Sequence, residues 1–193
     1  DQALSKTHPE LVVGLAAYGA TGLGLLTSAA SNEAAALQVN VNGFHNLLKG
    51  CHKHGTPRVL WASTLAVFGN PTIYPDGTAY DDSIRAPETF YGMTKVLAEN
   101  IACFFQATHG LVLTGLRLPL VFGPGLWYEG VASKIKHLFE AAIRDEKIEI
   151  PAPAQAFDLM YVKDVGRAFI HLTNYTGQLE QIYNLTAYSE SAG

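Results

Sequence analysis

Cysteine, basic charge and long apolar runs are all scarce in this chain of 193 residues, and each scarcity excludes a class of protein. Two cysteines cannot form the disulfide framework of a small secreted domain. The formal net charge of −4 provides no basic field, so neither nucleic acid nor an anionic membrane is an expected partner. No apolar run is long enough to span a bilayer, and no basic stretch followed by an apolar segment opens the chain. The sequence therefore predicts a globular protein of the cytoplasm.

Apolar runs of strand length alternate with helical patterns along the chain. Hydrophobic residues make up 48% of the sequence, which suffices for the core of about one domain. Residues 11–17, 58–62 and 111–119 are predicted to be buried strands, because their apolar runs are short and bounded by turn residues. Helical patterns cover 32–55, with Asn32 as the cap, as well as 91–109 and 131–144. This alternation is typical of an α/β protein with a parallel sheet.

Tyr91 and Lys95 stand four residues apart at the start of a predicted helix. That spacing stacks both side chains on one face, so an ammonium can lie near a phenol. A nearby cation favours the phenolate, and we expect Lys95 to lower the tyrosine pKa from its free value of about 10. Tyr91 would then be able to act as an acid or base near neutral pH. Because such pairs also arise by chance on solvated helices, the pair needs support from its surroundings.

The support comes from the preceding strand, which ends in the hydroxyls of Ser63 and Thr64. Hydroxyls at the carboxyl end of a parallel strand face the crevice where doubly wound sheets bind ligands. Residues 63–69 read Ser-Thr-Leu-Ala-Val-Phe-Gly, which resembles the motif of the extended short-chain dehydrogenase/reductases, the NAD-dependent epimerase/dehydratase family, with Phe in place of Tyr. The resemblance implies that Thr64 is the catalytic hydroxyl, Tyr91 the acid or base, and Lys95 its partner.

Four further stretches resemble motifs of the same family, in the same order along the chain. They are Leu-Ala-Ala at 15–17, Asn-Val-Asn-Gly-Phe-His-Asn-Leu-Leu at 40–48, Leu-Arg-Leu-Pro-Leu-Val-Phe-Gly-Pro-Gly at 116–125, and Tyr-Val-Lys-Asp-Val at 161–165, where Asp164 is expected to cap a helix. The resemblance implies a partial, doubly wound parallel sheet of the Rossmann type and binding of NAD or NADP. The cofactor-binding residues that it implies are Leu15, Ala16, Ala17, Asn40, Ala62, Ser63, Tyr91, Lys95, Pro119 and Val121; no metal ligand is implied.

The glycine-rich stretch 19–24 is not the phosphate-binding fingerprint of a dinucleotide fold. Its third glycine follows the second by two residues instead of three. Too few residues separate it from Ser63 to hold the strands and helices that normally intervene. The family's first strand, its glycine fingerprint and its second strand are therefore expected to be missing from this sequence, which would make it a fragment of a longer enzyme or a truncated product. The residue that selects NAD or NADP is lost with them.

The second half of the chain carries the indications about substrate. Leu120 stands where many nucleotide-sugar enzymes of the family place an asparagine that holds the diphosphate, and leucine cannot donate that hydrogen bond. A smaller polyol, sugar acid, ketone or alcohol is favoured. Trp127 and Tyr128 are either pocket wall or core. We assign residues 1–125 to the cofactor domain and its catalytic residues, and residues 126–193 to a partial substrate-side segment interleaved with the last sheet elements.

The sequence is compatible with three functions. The first is an NAD(P)-dependent oxidoreductase or epimerase/dehydratase acting on a hydroxyl or carbonyl of a small molecule, in which net oxidation and isomerisation use the same residues. The second is a non-catalytic Rossmann remnant or assembly partner, and the third, least supported, is a metal-dependent hydrolase. Family members commonly dimerise through two helices that begin here near Asn32 and Tyr91. A homodimer is expected, with Ala98, Ile101, Ala102 and Phe105 as its apolar stripe.

Overall fold

The computed structural model describes residues 2–149 and 158–186, which form a parallel sheet with helices on both faces. The predicted substrate-side segment includes residues 150–157 and 187–193, which lie outside the described part. The helices are α1 (Gln2–Thr7), α2 (Leu25–Ser31), α3 (Glu33–Ala36), α4 (Phe44–Lys53), α5 (Phe90–His109), α6 (Val131–Ile143) and α7 (Val162–Asn174). The strands are β1 (Leu11–Gly14), β2 (Arg58–Thr64), β3 (Val112–Leu118), β4 (Leu120–Phe122), β5 (Leu159–Tyr161) and β6 (Ile182–Asn184).

The main sheet has the order β1-β2-β3-β6, and all its strands are parallel. The strands β4 and β5 form a separate parallel pair. The predicted strands at 58–62 and 111–119 are confirmed as Arg58–Thr64 and Val112–Leu118, whereas the first strand ends at Gly14 and leaves residues 15–17 outside the sheet. Since parallel strands end at the same edge, the carboxyl ends of β1, β2 and β3 open together on one side of the molecule.

Alternation along β2 sends its side chains into two separate cores. Val59 and Trp61 pack with α4 and α5, where Leu48 and Ala98 are fully buried. Leu60 faces the opposite side and packs against α7. The central strand is thus covered on both faces, as its continuous apolar run predicts.

One continuous helical segment runs from Glu33 to Lys53, but its middle is not α-helical. Residues Leu37–Gly43 form a π-helical segment between α3 and α4. Asn32 caps the start by accepting a hydrogen bond from the Ala35 amide at 3.0 Å, which confirms the predicted cap. A π-helical turn contains one extra residue per hydrogen-bonded ring, and such turns are frequent at functional sites.

Two predictions about helices are wrong. Asp164 does not cap α7, because Tyr161 occupies the cap position; Asp164 lies in the first turn and pairs with Arg167 at 2.8 Å. The stripe expected to form a dimer interface is largely internal, since Ala98, Ala102 and Phe105 are buried against the sheet. The apolar residues of α5 form two stripes along the helix. The stripe that was predicted to contact a second copy of the chain packs against the sheet instead. The exposed apolar side chains of α5 are instead Met93, Leu97 and Phe104.

The predicted ends of α5 are confirmed. Thr89 accepts a hydrogen bond from the Gly92 amide at 3.0 Å at the start, and Gly110 follows the last residue in a left-handed conformation with φ of 68°. The polar loop before this helix is folded into two short 3-10 turns, Pro71–Ile73 and Pro75–Gly77. No helix in the described ranges has both the length and the apolar character needed to cross a membrane.

Candidate active site

The end of β2 places its two hydroxyl residues on opposite faces of the sheet. The Thr64 hydroxyl oxygen accepts a hydrogen bond from the Ala66 amide at 3.2 Å and so fixes the turn that follows the strand. Ser63 points to the other face, where its hydroxyl donates to Glu99 at 2.7 Å. The expectation that the Ser63 side chain lines the mouth of the site is therefore wrong, because alternation along a strand separates neighbours.

Close backbone contact brings the start of α5 against the turn after β2. A side-chain carbon added to Gly92 would lie 2.1 Å from the Ala66 carbonyl oxygen and 2.9 Å from Pro87, so only glycine fits there. Tyr91, the preceding residue, packs with Ala29 and Leu25 of α2 and with Ala66. The glycine thus allows the helix to bring Tyr91 close to the turn that Thr64 holds.

Lys95 lies one turn along α5 and is 4% exposed. Its ammonium donates a hydrogen bond to the Ala62 carbonyl oxygen at 2.8 Å and lies 5.8 Å from the centre of the Tyr91 ring. The structure therefore brings the predicted pair together at the carboxyl end of β2. Burial lowers the pKa of Lys95 to about 8, although the Glu99 carboxylate acts in the opposite direction.

The expected effect of Lys95 on the Tyr91 pKa is not observed. Burial raises the Tyr91 pKa well above its ordinary value, and the phenol of Tyr128 raises it further. Tyr91 is 5% exposed, so desolvation of the phenolate is the dominant effect on its pKa. Tyr91 is consequently held as a neutral phenol, the form that can donate a proton.

A buried ion-pair network lies directly behind Lys95 and was not anticipated from the sequence. Arg117 of β3 donates two hydrogen bonds, both 2.8 Å, to the two carboxylate oxygens of Glu99 on α5. Arg85 adds a hydrogen bond at 3.0 Å, and Ser63 completes the set. Although burial opposes the charge of Glu99, the hydrogen bonds of Arg117 and Ser63 keep its pKa below the usual range.

The same arginine ties the loop before α5 to the sheet. Arg117 donates to the Asp81 carbonyl oxygen at 2.8 Å and to the Asn184 side chain at 3.2 Å. The sequence contained a signal for this network, because Glu99 follows Lys95 by four residues and Arg117 interrupts an apolar strand. A buried charge requires a partner of opposite charge, and Glu99 and Arg117 carry opposite charges.

Asn40 of the π-helical segment links three elements below the site. Its side-chain oxygen Oδ1 accepts a hydrogen bond from the main-chain amide of Tyr18 at 2.7 Å, and its side-chain Nδ2 donates to the Thr94 hydroxyl at 3.0 Å. Thr94 in turn donates to the Tyr91 carbonyl oxygen at 2.7 Å. Asn40 is buried and its side chain is engaged in these bonds, so it positions the segment after β1 rather than presenting a free amide to a ligand.

The other residues expected to contact the cofactor divide into two groups. Leu15 and Ala16 are exposed directly after β1, with Leu15 58% exposed, and Ala17 is half-buried beside them. Exposed side chains at the carboxyl end of a parallel strand offer a surface on which a flat ligand can lie. Pro119 and Val121 flank Leu120 at the junction of β3 and β4, and Val121 packs into the core beside α7.

Two main-chain amides of the glycine-rich stretch 19–24 form hydrogen bonds inside the protein. The Ala20 amide donates to the Ser28 hydroxyl at 2.9 Å, and the Leu23 amide donates to the Ala20 carbonyl oxygen at 3.1 Å. A phosphate-binding loop needs such amides free. The arrangement agrees with the expectation that this stretch is not a dinucleotide fingerprint.

The aromatic pair Trp127 and Tyr128 lies on that glycine stretch. Trp127 covers Gly19, and Tyr128 covers Gly24, where an added side-chain carbon would meet each ring at 3.2 Å. Trp127 is 58% exposed, which excludes a core role for most of its ring. Within residues 2–149 and 158–186, no group of three or more His, Cys, Asp and Glu side chains is placed to hold a metal ion.

Comparisons with known proteins identify the family. The model of the NAD dependent epimerase/dehydratase family matches residues 1–186, and the chain belongs to this family. It is 30% identical over 166 residues to mitochondrial L-threonine 3-dehydrogenase of Sus scrofa, covering 82% of this chain and 43% of that protein. It is 36% identical over 97 residues to UDP-glucuronate 4-epimerase 3 of Arabidopsis thaliana, covering 50% of this chain and 22% of the relative.

The solved structures confirm the fold. L-Threonine 3-dehydrogenase from Trypanosoma brucei superposes with a TM-score of 0.82 at 22% identity, over 97% of this chain and 57% of that structure. The chain is therefore a partial Rossmann-type fold. It spans less than half the length of the two curated relatives above and somewhat more than half of the solved structure.

Proposed function

We propose that this chain is the catalytic part of an NAD-dependent enzyme that oxidises, reduces or epimerises a hydroxyl or carbonyl carbon of a small molecule. The observation that carries the proposal is the burial of Tyr91 and Lys95 together at the carboxyl end of β2, next to Thr64. Membership of the NAD dependent epimerase/dehydratase family supports the same chemistry. The division into a cofactor part, 1–125, and a substrate side, 126–193, belongs to the proposal.

Each of the three side chains has a role that follows from its surroundings. Tyr91, a neutral phenol, donates a proton to a carbonyl oxygen during reduction and accepts it back during oxidation. Thr64 presents a hydroxyl to the same oxygen. Lys95 supplies a positive charge that favours the Tyr91 phenolate when it forms, and its bond to Ala62 fixes its position.

The cofactor would occupy the open carboxyl ends of β1 and β2. Leu15, Ala16 and Ala17 offer an exposed surface of mostly small side chains there, and Ala62 and Ser63 contribute main chain at the end of β2. Asn40 holds the segment after β1 from beneath, while Pro119 and Val121 border the site from β3 and β4. NAD, when bound, supplies the hydride acceptor or donor; NADP remains the alternative.

Net oxidation and epimerisation are separated by what happens to the cofactor. L-Threonine and UDP-glucuronate are the first substrates to test, because relatives carry those names. We favour the smaller one, since Leu120 cannot hold a diphosphate. Steady accumulation of NADH with product would identify a dehydrogenase, and product formation without NADH would identify an epimerase. Failure of the native full-length protein to bind NAD or NADP in a titration would instead support a non-catalytic remnant or assembly partner.

We also propose a homodimer and a cytoplasmic location. Met93, Leu97 and Phe104 leave an exposed apolar strip on α5, and burying it against a second copy would remove that surface from water. Cys51 and Cys103 are both free, which suits a reducing compartment. Sedimentation at micromolar concentration tests the dimer, and Leu97→Glu should shift the mass to that of a monomer while the exposed control Ile170→Glu on α7 should not.

A further inference from the structure

The site of Tyr91 contains a second phenol whose role is unassigned. Tyr128 lies in the loop between β4 and α6, and its ring rests on the main chain of Gly24. Residue Leu25, directly after this glycine, packs against Tyr91 in one apolar cluster with Ala29. Tyr128 and Tyr91 are thus connected through a single short segment of chain.

The loop that carries Tyr128 is fixed on the glycine stretch by several contacts. The Glu129 amide donates to the Gly22 carbonyl oxygen at 3.3 Å, and Leu23 pairs with Glu129 in a parallel bridge. The Ser133 hydroxyl accepts from the Gly130 amide at 2.9 Å and closes the loop against the start of α6. These bonds hold the loop in one position beside the site.

Glycines lie where the aromatic rings approach the main chain. Carbons added at Gly19 and Gly24 would each come within 3.2 Å of an aromatic ring, and Trp127 and Tyr128 meet edge to face with 5.6 Å between ring centres. The glycine stretch therefore serves as a platform for an aromatic wall. This gives a physical reason for its composition that phosphate binding does not supply.

The hydroxyl of Tyr128 is available for a ligand. Within the described residues, no side chain or main-chain group forms a hydrogen bond with it or with the Tyr91 hydroxyl. The ring is only half-buried, and Tyr128 lies close enough to Tyr91 for its ionisation to raise the pKa of Tyr91. A phenol that is anchored by its ring, and whose hydroxyl has no hydrogen-bond partner among the described residues, is suited to donate a hydrogen bond to a ligand.

We propose that Tyr128 is a substrate-binding residue of the Tyr91 site, and that the substrate carries a second polar group close to its reacting hydroxyl or carbonyl carbon. The proposal rests on the proposed function. Tyr91 and Thr64 take the reacting oxygen, and Tyr128 takes the second group. This arrangement selects small bifunctional substrates such as hydroxy acids, vicinal diols and amino alcohols over simple alcohols.

The test uses four probes that share one reacting centre, a methyl carbinol. They are lactate, 1,2-propanediol and 1-amino-2-propanol, which differ in the second polar group, and 2-propanol, which lacks one. The native full-length protein with NAD should turn over at least one of the first three with a kcat/KM about tenfold or more above that for 2-propanol, the discrimination expected of one hydrogen bond to a well-placed donor.

Variants then assign the preference to Tyr128. Tyr128→Phe should raise KM for the bifunctional probe about tenfold, leave kcat within about threefold, and leave 2-propanol unaffected. Gly24→Ala keeps the hydroxyl but pushes the ring by a few tenths of an ångström, and should raise KM in the same direction. Gly166→Ala, at a helical glycine with nothing within 4 Å of the added carbon, is the matched control and should leave KM unchanged.

The contrary outcomes are distinct from failure of the proposed function. Equal preference for 2-propanol, turnover of none of the bifunctional probes, or an unchanged KM in Tyr128→Phe would overturn the proposal. Turnover of UDP-glucuronate alone would overturn the substrate class as well. Loss of the proposed function would appear differently, as full activity in Tyr91→Phe, whatever Tyr128→Phe does.

Discussion

Glu99 and Arg117 form a two-pronged ion pair between α5 and β3, with both hydrogen bonds at 2.8 Å and both side chains 4% exposed. Because water is excluded, either charge left alone would be strongly destabilised. The pair fixes the helix that carries Tyr91 and Lys95 against the centre of the sheet. The geometry of Tyr91 and Lys95, the proposed catalytic residues, therefore depends on a contact between two other side chains.

Removing the charge of Glu99 should destabilise the fold substantially. We expect Glu99→Gln to lower the free energy of unfolding by about 3–5 kcal/mol, since the Arg117 charge stays buried without its counterion. Chemical denaturation measures the change. The double variant Glu99→Gln with Arg117→Met should recover part of the loss, and a double variant no better than the single one would contradict this explanation.

Tyr91→Phe should remove activity without disturbing the structure. The change deletes one hydroxyl that no described residue binds, so the thermal midpoint should stay close to that of the unmodified protein. Turnover should fall by roughly 10²–10⁴, the loss typical of a missing general acid or base. Tyr80→Phe, at an exposed tyrosine of the preceding loop, is the matched control. Near-full turnover in Tyr91→Phe would remove Tyr91 from the mechanism.

Lys95 should make stability depend on pH in the alkaline range. Its folded-state pKa of about 8 lies below the ordinary 10.5, so the folded state releases the proton first and binds fewer protons between these values. Stability must therefore rise with pH across that window, and the cost of the buried ammonium is fully present below pH 8. The shift corresponds to a rise on the order of 3 kcal/mol.

The comparison with Lys95→Met isolates this effect. Unfolding measured from pH 7 to pH 10.5 should show a rise in the unmodified protein, and the rise should shrink in the variant because methionine does not titrate. Parallel curves for the two proteins would show that Lys95 has an ordinary pKa in the folded state.

Gly92→Ala should separate α5 from the end of β2. The added carbon would lie 2.1 Å from the Ala66 carbonyl oxygen, a distance that main-chain atoms must relieve by moving. We expect a loss of stability of roughly 1–3 kcal/mol and a fall in turnover, because Tyr91 moves relative to Thr64. Gly166→Ala should be neutral or slightly stabilising, since alanine favours a helix. Normal turnover in Gly92→Ala would show that the close contact is dispensable.

The sequence predicted the elements that follow from local rules. The cap at Asn32, the helix end at Gly110 and the strand at 58–62 depend on residues near each other in the chain, and all three are found. The expectation that Tyr91 and Lys95 lie together also rested on local spacing, and the structure bears it out.

The predictions that failed depend on which neighbours bury a group. The direction of the Tyr91 pKa shift is set by packing against α2 and by Tyr128, both distant in sequence. Contacts between residues distant in sequence likewise decide which side of α5 faces the sheet and what surrounds Ser63 on β2. The aromatic wall on the glycine stretch required residues about a hundred positions apart, and no local pattern links them.

The π-helical segment Leu37–Gly43 holds one residue more than an α-helical turn would. Deleting one residue there would restore ordinary α-helical bonding and leave α3 and α4 close to their present register. The deletion would shift Asn40 relative to the Tyr18 amide and Thr94, the two groups that its side chain bonds. The loss would therefore fall on the support of the Tyr91 site and not on the continuity of the helix.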